Sequence, residues 1–336
     1  MSASALAPLD ITTLSPGARV QHELLVYDRA EKKTNGGDPF VVLTLGNASG
    51  KIDTAPIWSD KLHWAEGADS GRVVQAIGDV TIYGRNGGGK RQLSLSGPVR
   101  PLPPELVNIE KFLPSITHDF GKLWSAIDRL REEVESRKLR RVLDLFFADE
   151  SFRLAFEKTP GSTGGHHAKI GGLLLHTWEV VRIAKQTAVT MRANVDLVVA
   201  GALLHDLGKV ESYTTGPGGF TFTPCGLLVG HIVLGVMMLE RRIAKLGEPV
   251  CTEGQLLELQ HMILSHHGAL EYGSPVTPMT AEAEIVHWAD EASAKANDMM
   301  EALEDPDAFA SGGELSDKRI WRAGNKRIWR RPHQWE

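Results

Sequence analysis

Residues 201–209 of this chain read GALLHDLGK, an apolar helical run that ends in consecutive histidine and aspartate residues. Both side chains are costly to bury unless polar partners or a metal ion satisfy them. Gly208 permits a conformation that ends a helix, which would leave His205 and Asp206 at the rim of a cavity. A single histidine at such a place is usually a hydrogen-bonded core residue, but the adjacent aspartate favours a pair of ligands. The stretch therefore predicts a functional site within a helical fold.

Other candidate metal ligands lie on both sides of this pair, in groups that are well separated along the chain. The whole set comprises His176, His205, Asp206, His231, His266, His267 and Asp290. Because of this separation, the ligands must come from different elements that converge in the fold. Histidine and carboxylate ligands suit transition metals such as Mn, Fe, Co or Zn better than they suit calcium. Seven ligands exceed the needs of one tetrahedral ion, so the set predicts a two-metal site that hydrolyses phosphate esters.

The chemistry of these side chains suggests how the ligands are shared. One ion is assigned to His176, His205, Asp206 and Asp290, and a second ion to His231, His266 and His267, with Asp206 as the bridge. A water shared by two cations would lose a proton near neutral pH and attack the phosphorus in line. Lys209 is expected to neutralise charge on the phosphate oxygens, or alternatively to cap the end of its helix. Asp206 and Lys209 are thus the predicted catalytic residues.

A glycine-rich loop with two histidines precedes the first ligand. His166 and His167 follow Gly164 and Gly165 directly. A loop beside the metals is well placed to grip the scissile phosphate or the terminal ribose, and the alternative is a structural role for both histidines. The predicted substrate-binding residues are His166, His167, Lys169 and Lys209.

The N-terminal part of the chain has a different period. Five segments rich in β-branched and aromatic residues, separated by Asn-Gly turn signals, fill residues 18–100. Five strands in so short a stretch predict a closed barrel of the OB type, with a fragment of a β-sandwich as the alternative. Such barrels bind single strands by stacking bases on aromatic side chains. The candidates here are Phe40, Trp58, Trp64 and Tyr83, although most strand aromatics belong to a core.

The remaining boundaries follow from composition and periodicity. An N-terminal segment covers residues 1–17, a proline-marked linker 101–114, an all-α domain 115–310 and a basic tail 311–336. The tail contains Lys-Arg-Ile-Trp-Arg twice, at 318–322 and at 326–330. It is expected to dock its tryptophans on the barrel and leave its arginines in solvent. The alternative is contact with nucleic acid through phosphates and stacked bases.

Bulk properties limit the class of protein. A net charge of −5 over 336 residues means that any nucleic-acid contact must use a local basic patch. Cys225 and Cys251 form neither a Cys-x-x-Cys pair nor a disulfide framework, which is typical of a reduced cytoplasmic setting. The first residues lack a signal-peptide pattern and the apolar runs are short, so a soluble protein without a membrane partner is expected.

The order His176, His205-Asp206 and Asp290 resembles the HD-domain phosphohydrolase superfamily. More narrowly, Gly171-Gly-Leu-Leu-Leu-His176, Gly226-Leu-Leu-Val-Gly-His231 and Ile263-Leu-Ser-His-His-Gly268 are similar to motifs of the YhaM family. The chain departs from the family pattern at Leu175, Thr163, Lys169 and Ser293, and none of these positions removes a predicted ligand.

The resemblance implies an OB domain followed by an HD domain, and a 3′→5′ exonuclease that converts single-stranded RNA, or alternatively DNA, to nucleoside 5′-monophosphates. It also implies divalent cations, with Mn²⁺ favoured and Co²⁺, Fe²⁺, Mg²⁺ and Zn²⁺ as alternatives. Two other functions are weighed against this one: a phosphodiesterase for small or cyclic nucleotides, and a non-catalytic nucleic-acid-binding protein. The complete ligand set argues against the latter. The oligomeric state is left open, with a homo-oligomer among the options.

Overall fold

The structure, a computed structural model, describes residues 9–84, 89–216 and 218–330. The chain divides into two compact units. The first comprises Met1–Pro114, Thr215–Gly219 and Met299–Glu336, and the second comprises Ser115–Thr214 and Phe220–Asp298. Residues from Met299 onward therefore group with the first unit, although the helical pattern continues to Leu303. Parts of the predicted segments 1–17 and 311–336 lie outside the described residues.

The first unit contains a closed five-stranded barrel. The strands of this unit are β1 (Arg19–Lys33), β2 (Pro39–Asn47), β3 (Gly50–Thr54), the short β4 (Ile57–Trp58), β5 (Val73–Tyr83), β6 (Lys90–Leu95) and the short β7 (Arg100–Pro101), and all but β4 and β7 form the barrel. The long β1 pairs with β5 through its first half and with β2 through its second half. Pairing of β2 with β3, of β3 with β6 in parallel, and of β6 with β5 completes the ring. The OB-type barrel is confirmed, and the short strands β4 and β7 pair with β2 and β5 in addition to this ring.

Alternation of apolar residues explains why these segments close into a barrel. Leu24 and Val26 on β1, and Leu43 and Leu45 on β2, point to one buried side and form part of a single apolar cluster inside the barrel. Two short 3₁₀ helices, Pro104–Leu106 and Ile109–Phe112, occupy the predicted linker.

The second unit is helical, as predicted. Its helices are α1 (Phe120–Glu132), α2 (Arg137–Phe147), α3 (Glu150–Lys158), α4 (Gly172–Met191), α5 (Val195–Leu204), α6 (Lys209–Ser212), α7 (Pro224–Leu228), α8 (His231–Ala244), α9 (Glu253–Ser265) and α10 (Ala281–Glu304), the last of which crosses the boundary between the units. A pair of short strands, β8 (Tyr213–Gly216) and β9 (Gly219–Phe222), interrupts the series between α6 and α7. The expectation of an all-α domain missed this hairpin, because four-residue strands leave too little alternation to read.

The helices are started by side-chain caps and held by one apolar core. Asp119, Ser136, Asp149 and Asn194 each accept a hydrogen bond from the first turn of the helix that follows. The core includes a group of aromatic rings from α1, α2 and α3, namely Trp124, Phe146, Phe147, Phe152 and Phe156. No helix within the described residues is long and apolar enough to cross a membrane.

The tail differs from its prediction. Ile328 and Ala323 are buried beside Phe309, with Ile320 packed against them, whereas Trp321 and Trp329 are exposed. The tryptophans are therefore not docked, and the isoleucines of the repeated motif pack instead. Trp335 lies outside the described residues.

Candidate metal centre

Five elements of the second unit deliver the seven predicted ligands to one place. His176 lies in the second turn of α4, His205 and Asp206 follow the end of α5, and His231 is the first residue of α8. His266 and His267 follow the end of α9, and Asp290 lies within α10. A close approach holds two of these segments together: a Cβ at Gly208 would lie 1.9 Å from the carbonyl oxygen of His231. Only glycine allows this contact.

One group of ligands, which we call the inner half, consists of His176, His205 and Asp290. His176 Nε2 lies 2.9 Å from Asp290 Oδ1 and 3.4 Å from His205 Nε2. All three residues are buried, and their ligand atoms lie within 4.8 Å of one another. Asp206 Oδ2 faces this half, at 3.1 Å from His205 Nε2 and 3.5 Å from His176 Nε2.

The second group, the outer half, consists of His231, His266 and His267, whose ligand atoms also lie within 4.8 Å of one another. The other carboxylate oxygen, Asp206 Oδ1, lies 3.5 Å from His231 Nε2 and 3.6 Å from His266 Nε2. Asp206 thus turns one oxygen toward each half.

The imidazole rings are oriented by acceptors on their outer side. Nδ1 of His205, His266 and His267 donates to the carbonyl oxygens of Ala202, Ile263 and Tyr272 respectively, each at 2.7 Å. A carbonyl can only accept, so these nitrogens carry the proton and the Nε2 lone pairs remain free for a cation.

His176 is oriented by side chains instead. Ser293 Oγ lies 2.9 Å from His176 Nδ1 and donates its only proton to Glu179 Oε2, at 2.6 Å. The serine oxygen must therefore accept from His176 Nδ1–H, which leaves Nε2 as the ligand atom. Glu179 lies three residues after His176 on α4, a spacing that places both on one face of the helix. Sequence reasoning missed Glu179 and noted Ser293 only as a departure from the family pattern.

The pKa shifts of three histidines suit a metal site, whereas burial would lower the pKa of His205 but Asp206 raises it. Burial lowers the pKa of His176 and of His267 to about 4, and that of His231 well below its usual range. Neutral imidazole is the form that binds a cation. Burial alone would raise the pKa of Asp206, but the neighbouring Lys209 and His205 lower it well below the ordinary value.

Lys209 is the cation of the site. Its ammonium group is buried and lies 2.6 Å from Asp206 Oδ2. Burial would lower the pKa of Lys209, but Asp206 outweighs this effect and raises it. The observed partner of Lys209 is thus a carboxylate rather than the end of a helix.

The cluster fits divalent cations. In the part of the chain that the structure describes, Nε2 of His231 and of His266 are buried without a hydrogen-bond partner, and so is Asp206 Oδ1. Buried polar atoms are normally satisfied, and a cation between these donors would satisfy them together.

The predicted substrate loop lies beside the inner half. The rings of His166 and His167 are centred 5.1 Å and 5.2 Å from that of His176. His167 Nε2 lies 3.2 Å from Glu179 Oε2, and the His167 N–H donates to Asn297 Oδ1 at 3.0 Å. Burial lowers the pKa of His166 to about 2, so its ring is neutral. Lys169 is half-buried in the same loop.

The candidate stacking residues of the barrel have different surroundings. Trp58 and Tyr83 are exposed. Phe40 is half-buried with its ring 5.2 Å from that of Trp58, and Trp64 is half-buried beneath Lys61. Their nucleic-acid role remains a prediction, and exposure favours Trp58 and Tyr83.

Comparison with known proteins agrees with both units. The model of the HD domain matches residues 173–295. The chain is 34% identical over 294 residues to the 3′-5′ exoribonuclease YhaM of Bacillus subtilis, covering 86% of this chain and 88% of that protein. It is 34% identical over 291 residues to YhaM of Bacillus licheniformis, with coverage of 86% and 88%. It is 29% identical over 308 residues to YhaM of Listeria innocua, with coverage of 90% and 92%. No solved structure gives a significant match.

Proposed function

The chain belongs to the YhaM family of 3′-5′ exoribonucleases, and on that premise we propose that it is a metal-dependent 3′→5′ exonuclease that converts single-stranded RNA to nucleoside 5′-monophosphates. One observation supports the chemistry above all others. Asp206 is a buried carboxylate whose two oxygens face two separate sets of histidines. A bridging carboxylate between two ligand sets is the arrangement that a two-metal phosphodiesterase requires.

The ligands would be divided between two cations. His176, His205 and Asp290 would hold one, His231, His266 and His267 the other, and Asp206 would contact both. When bound, such a pair lowers the pKa of water toward neutrality and offsets negative charge on the phosphoryl oxygens. We favour Mn²⁺, with Co²⁺, Fe²⁺, Mg²⁺ and Zn²⁺ as alternatives, because sets rich in imidazole suit the transition metals.

Protein side chains would bind the phosphoryl group, the terminal nucleotide and the bases of the substrate. Lys209 keeps Asp206 ionised and offers its remaining N–H groups to a phosphoryl oxygen. His166, His167 and Lys169 form one wall of the site beside the inner half, where they would hold the terminal nucleotide. Trp58 and Tyr83 on the barrel would stack against bases of the same strand.

The barrel also separates this proposal from a phosphodiesterase for small nucleotides. A domain with exposed aromatic side chains serves a polymer, whereas a mononucleotide or cyclic dinucleotide has no use for it. We therefore place RNA first and DNA second among the substrates.

A cleavage assay tests the proposal. Metal-free protein is supplied with each cation in turn and given 5′-labelled single-stranded RNA, DNA of the same sequence, RNA with a blocked 3′ end, or a cyclic dinucleotide. Stepwise shortening of unblocked RNA with release of 5′-monophosphates is expected. Asp206→Ala should lose this activity, and Asp144→Ala, which changes a surface carboxylate of the same unit, should keep it. Cleavage that persists in Asp206→Ala or in EDTA would refute the proposal, and preference for the cyclic dinucleotide would establish the alternative.

A further inference from the structure

The two copies of the repeated pentapeptide in the tail lie next to each other, on either side of a turn. Residues 314–330, which we call the Trp-repeat segment, contain antiparallel bridges between Leu315 and Trp329 and between Ile320 and Lys326. Gly324 and Asn325 turn the chain between the copies, with φ angles of 77° and 54°. The two copies of Lys-Arg-Ile-Trp-Arg thus become neighbours in space.

Within each copy the isoleucine and the tryptophan face opposite ways. Ile328 is 3% exposed and packs with Phe309, whereas Trp321 is 76% and Trp329 is 52% exposed. Adjacent residues of an extended chain point to opposite sides, so packing of Ile328 presents Trp329 outward, whereas Trp321 is exposed in the turn that follows Ile320. Trp329 is also held in place, because its indole N–H donates to Glu314 Oε2 at 2.9 Å. The two exposed indoles of the repeated motif therefore form an aromatic surface that is accessible to a ligand.

The charge of the segment is opposite to that of the whole protein. Residues 314–330 contain six basic and two acidic side chains, in a chain whose net charge is −5. The four arginines are engaged: Arg322 with Glu301, Arg330 over the ring of Phe309, and Arg319 and Arg327 as donors to the carbonyl oxygens of Asn325 and Ser316. Lys318 and Lys326, one at the start of each copy, are exposed and form no ion pair within the residues that the structure describes. Each copy therefore combines a free ammonium group with an exposed indole.

We propose that the Trp-repeat segment is a binding site for single-stranded RNA, at which bases stack on Trp321 and Trp329 and phosphates meet Lys318 and Lys326. This inference rests on the proposed function, since the segment would be a further RNA-binding site of the exonuclease. A nucleic-acid strand repeats both required partners, a flat base and an anionic phosphate, at every nucleotide. The positive charge of the segment selects a polyanion as the occupant.

A binding experiment tests the site without relying on cleavage. In the full chain carrying Asp206→Ala, fluorescence anisotropy measures the affinity for a single-stranded RNA of roughly 20 nucleotides, which exceeds the 4–16 that one OB domain covers. Trp321→Ala with Trp329→Ala should weaken binding by about tenfold or more. Replacement of both tryptophans by Phe should restore most of the affinity, because a smaller aromatic face remains.

The contribution of the lysines to RNA binding is tested with a matched control variant. Lys318→Glu with Lys326→Glu should weaken binding and reduce its dependence on salt, whereas Lys245→Glu, an exposed lysine after α8, should change neither. In the active chain, the tryptophan pair should raise KM for the long RNA and leave turnover of a dinucleotide unchanged.

Different outcomes separate this inference from the proposed function. Equal RNA affinity in the wild type and in the Trp→Ala pair would overturn the inference, even if the protein is an exonuclease. A changed mass in solution by light scattering, with unchanged RNA affinity, would show that the segment is instead an interface between proteins. RNA that binds through the segment but is never cleaved by the wild type would support the site and refute the exonuclease.

Discussion

The inner and outer halves of the candidate metal centre are built from the same kinds of ligand but are supported differently. His176 of the inner half is oriented by Ser293 and Glu179, two side chains from different helices. His266 and His267 of the outer half are oriented by backbone carbonyls close to them in sequence. The inner ligands are all buried, whereas His231 and His267 are partly exposed. If each half binds a cation, we expect the inner half to hold its cation more tightly than the outer half.

Asp206 is the residue that joins the halves, so its loss should have the largest effect. We expect Asp206→Asn to lower RNA turnover by about 10³-fold or more, since both proposed cations would lose a ligand. The amount of bound metal per chain, measured by mass spectrometry after dialysis, should be lower than in the wild type, because both halves lose a ligand. A variant that retains full metal content and turnover would show that Asp206 is not the bridge.

Asp206 also has a structural role that a second variant isolates. Removing its charge leaves the buried Lys209 ammonium group unpaired, which we expect to cost about 3–5 kcal/mol of unfolding free energy in metal-free protein. Asp206→Asn with Lys209→Met should recover much of this stability in urea unfolding, but none of the activity. If the double variant is as unstable as the single one, the ion pair is not the cause.

The two halves should respond differently when each loses one histidine. His205→Ala removes a buried inner ligand and should abolish turnover at every Mn²⁺ concentration tested. His267→Ala removes a partly exposed outer ligand, and excess Mn²⁺ should restore a large part of its turnover. Titration of activity with Mn²⁺ makes the comparison. Equal rescue of both variants would contradict the difference between the halves.

The support of His176 predicts a smaller effect. Glu179→Gln and Ser293→Ala should each weaken binding of the tighter cation by about 10–100-fold, because they remove the group that orients a ligand. Calorimetric titration of metal-free protein with Mn²⁺ measures this directly. The combined variant should be no weaker than either single one, since both act through one chain of hydrogen bonds. Glu284→Gln, on α10 but paired with Trp288, is the control.

The ligand set could be predicted from the sequence because its members are chemically distinctive and because His205, Asp206, His231, His266 and His267 lie close to glycines at the ends of helices. Their supporting groups were harder to find. Ser293 and Glu179 are ordinary helix residues, and only the crossing of α4 and α10 brings them together at His176. The barrel could be predicted from the sequence as well, because the alternation of apolar residues and the turn signals indicate each strand in turn.

The tail shows where composition misleads. Tryptophan is rich in apolar surface, so its presence suggested docking, yet Ile320 and Ile328 occupy the inner side and Trp321 and Trp329 the outer. Where two apolar residues are adjacent, either one can face the core, and only the packing against Phe309 decides between them.

A last prediction concerns a residue remote from both halves, which should change stability and leave the metal centre intact. Asp149 caps α3 by accepting from the N–H groups of Ser151 and Phe152, and it pairs with Arg242. Asp149→Ala should lower the unfolding free energy by about 1 kcal/mol near neutral pH. Hydrogen bonds from Ser151 and Arg242 lower the pKa of Asp149 from 3.8 to about 2, so the folded state favours its ionised form. The stabilisation is therefore fully present above about pH 4 and is lost as pH falls through 2. Urea unfolding of both proteins should show their difference shrinking over this range, with Mn²⁺ affinity at neutral pH unchanged. A pH-independent difference would contradict the role of the ionised cap.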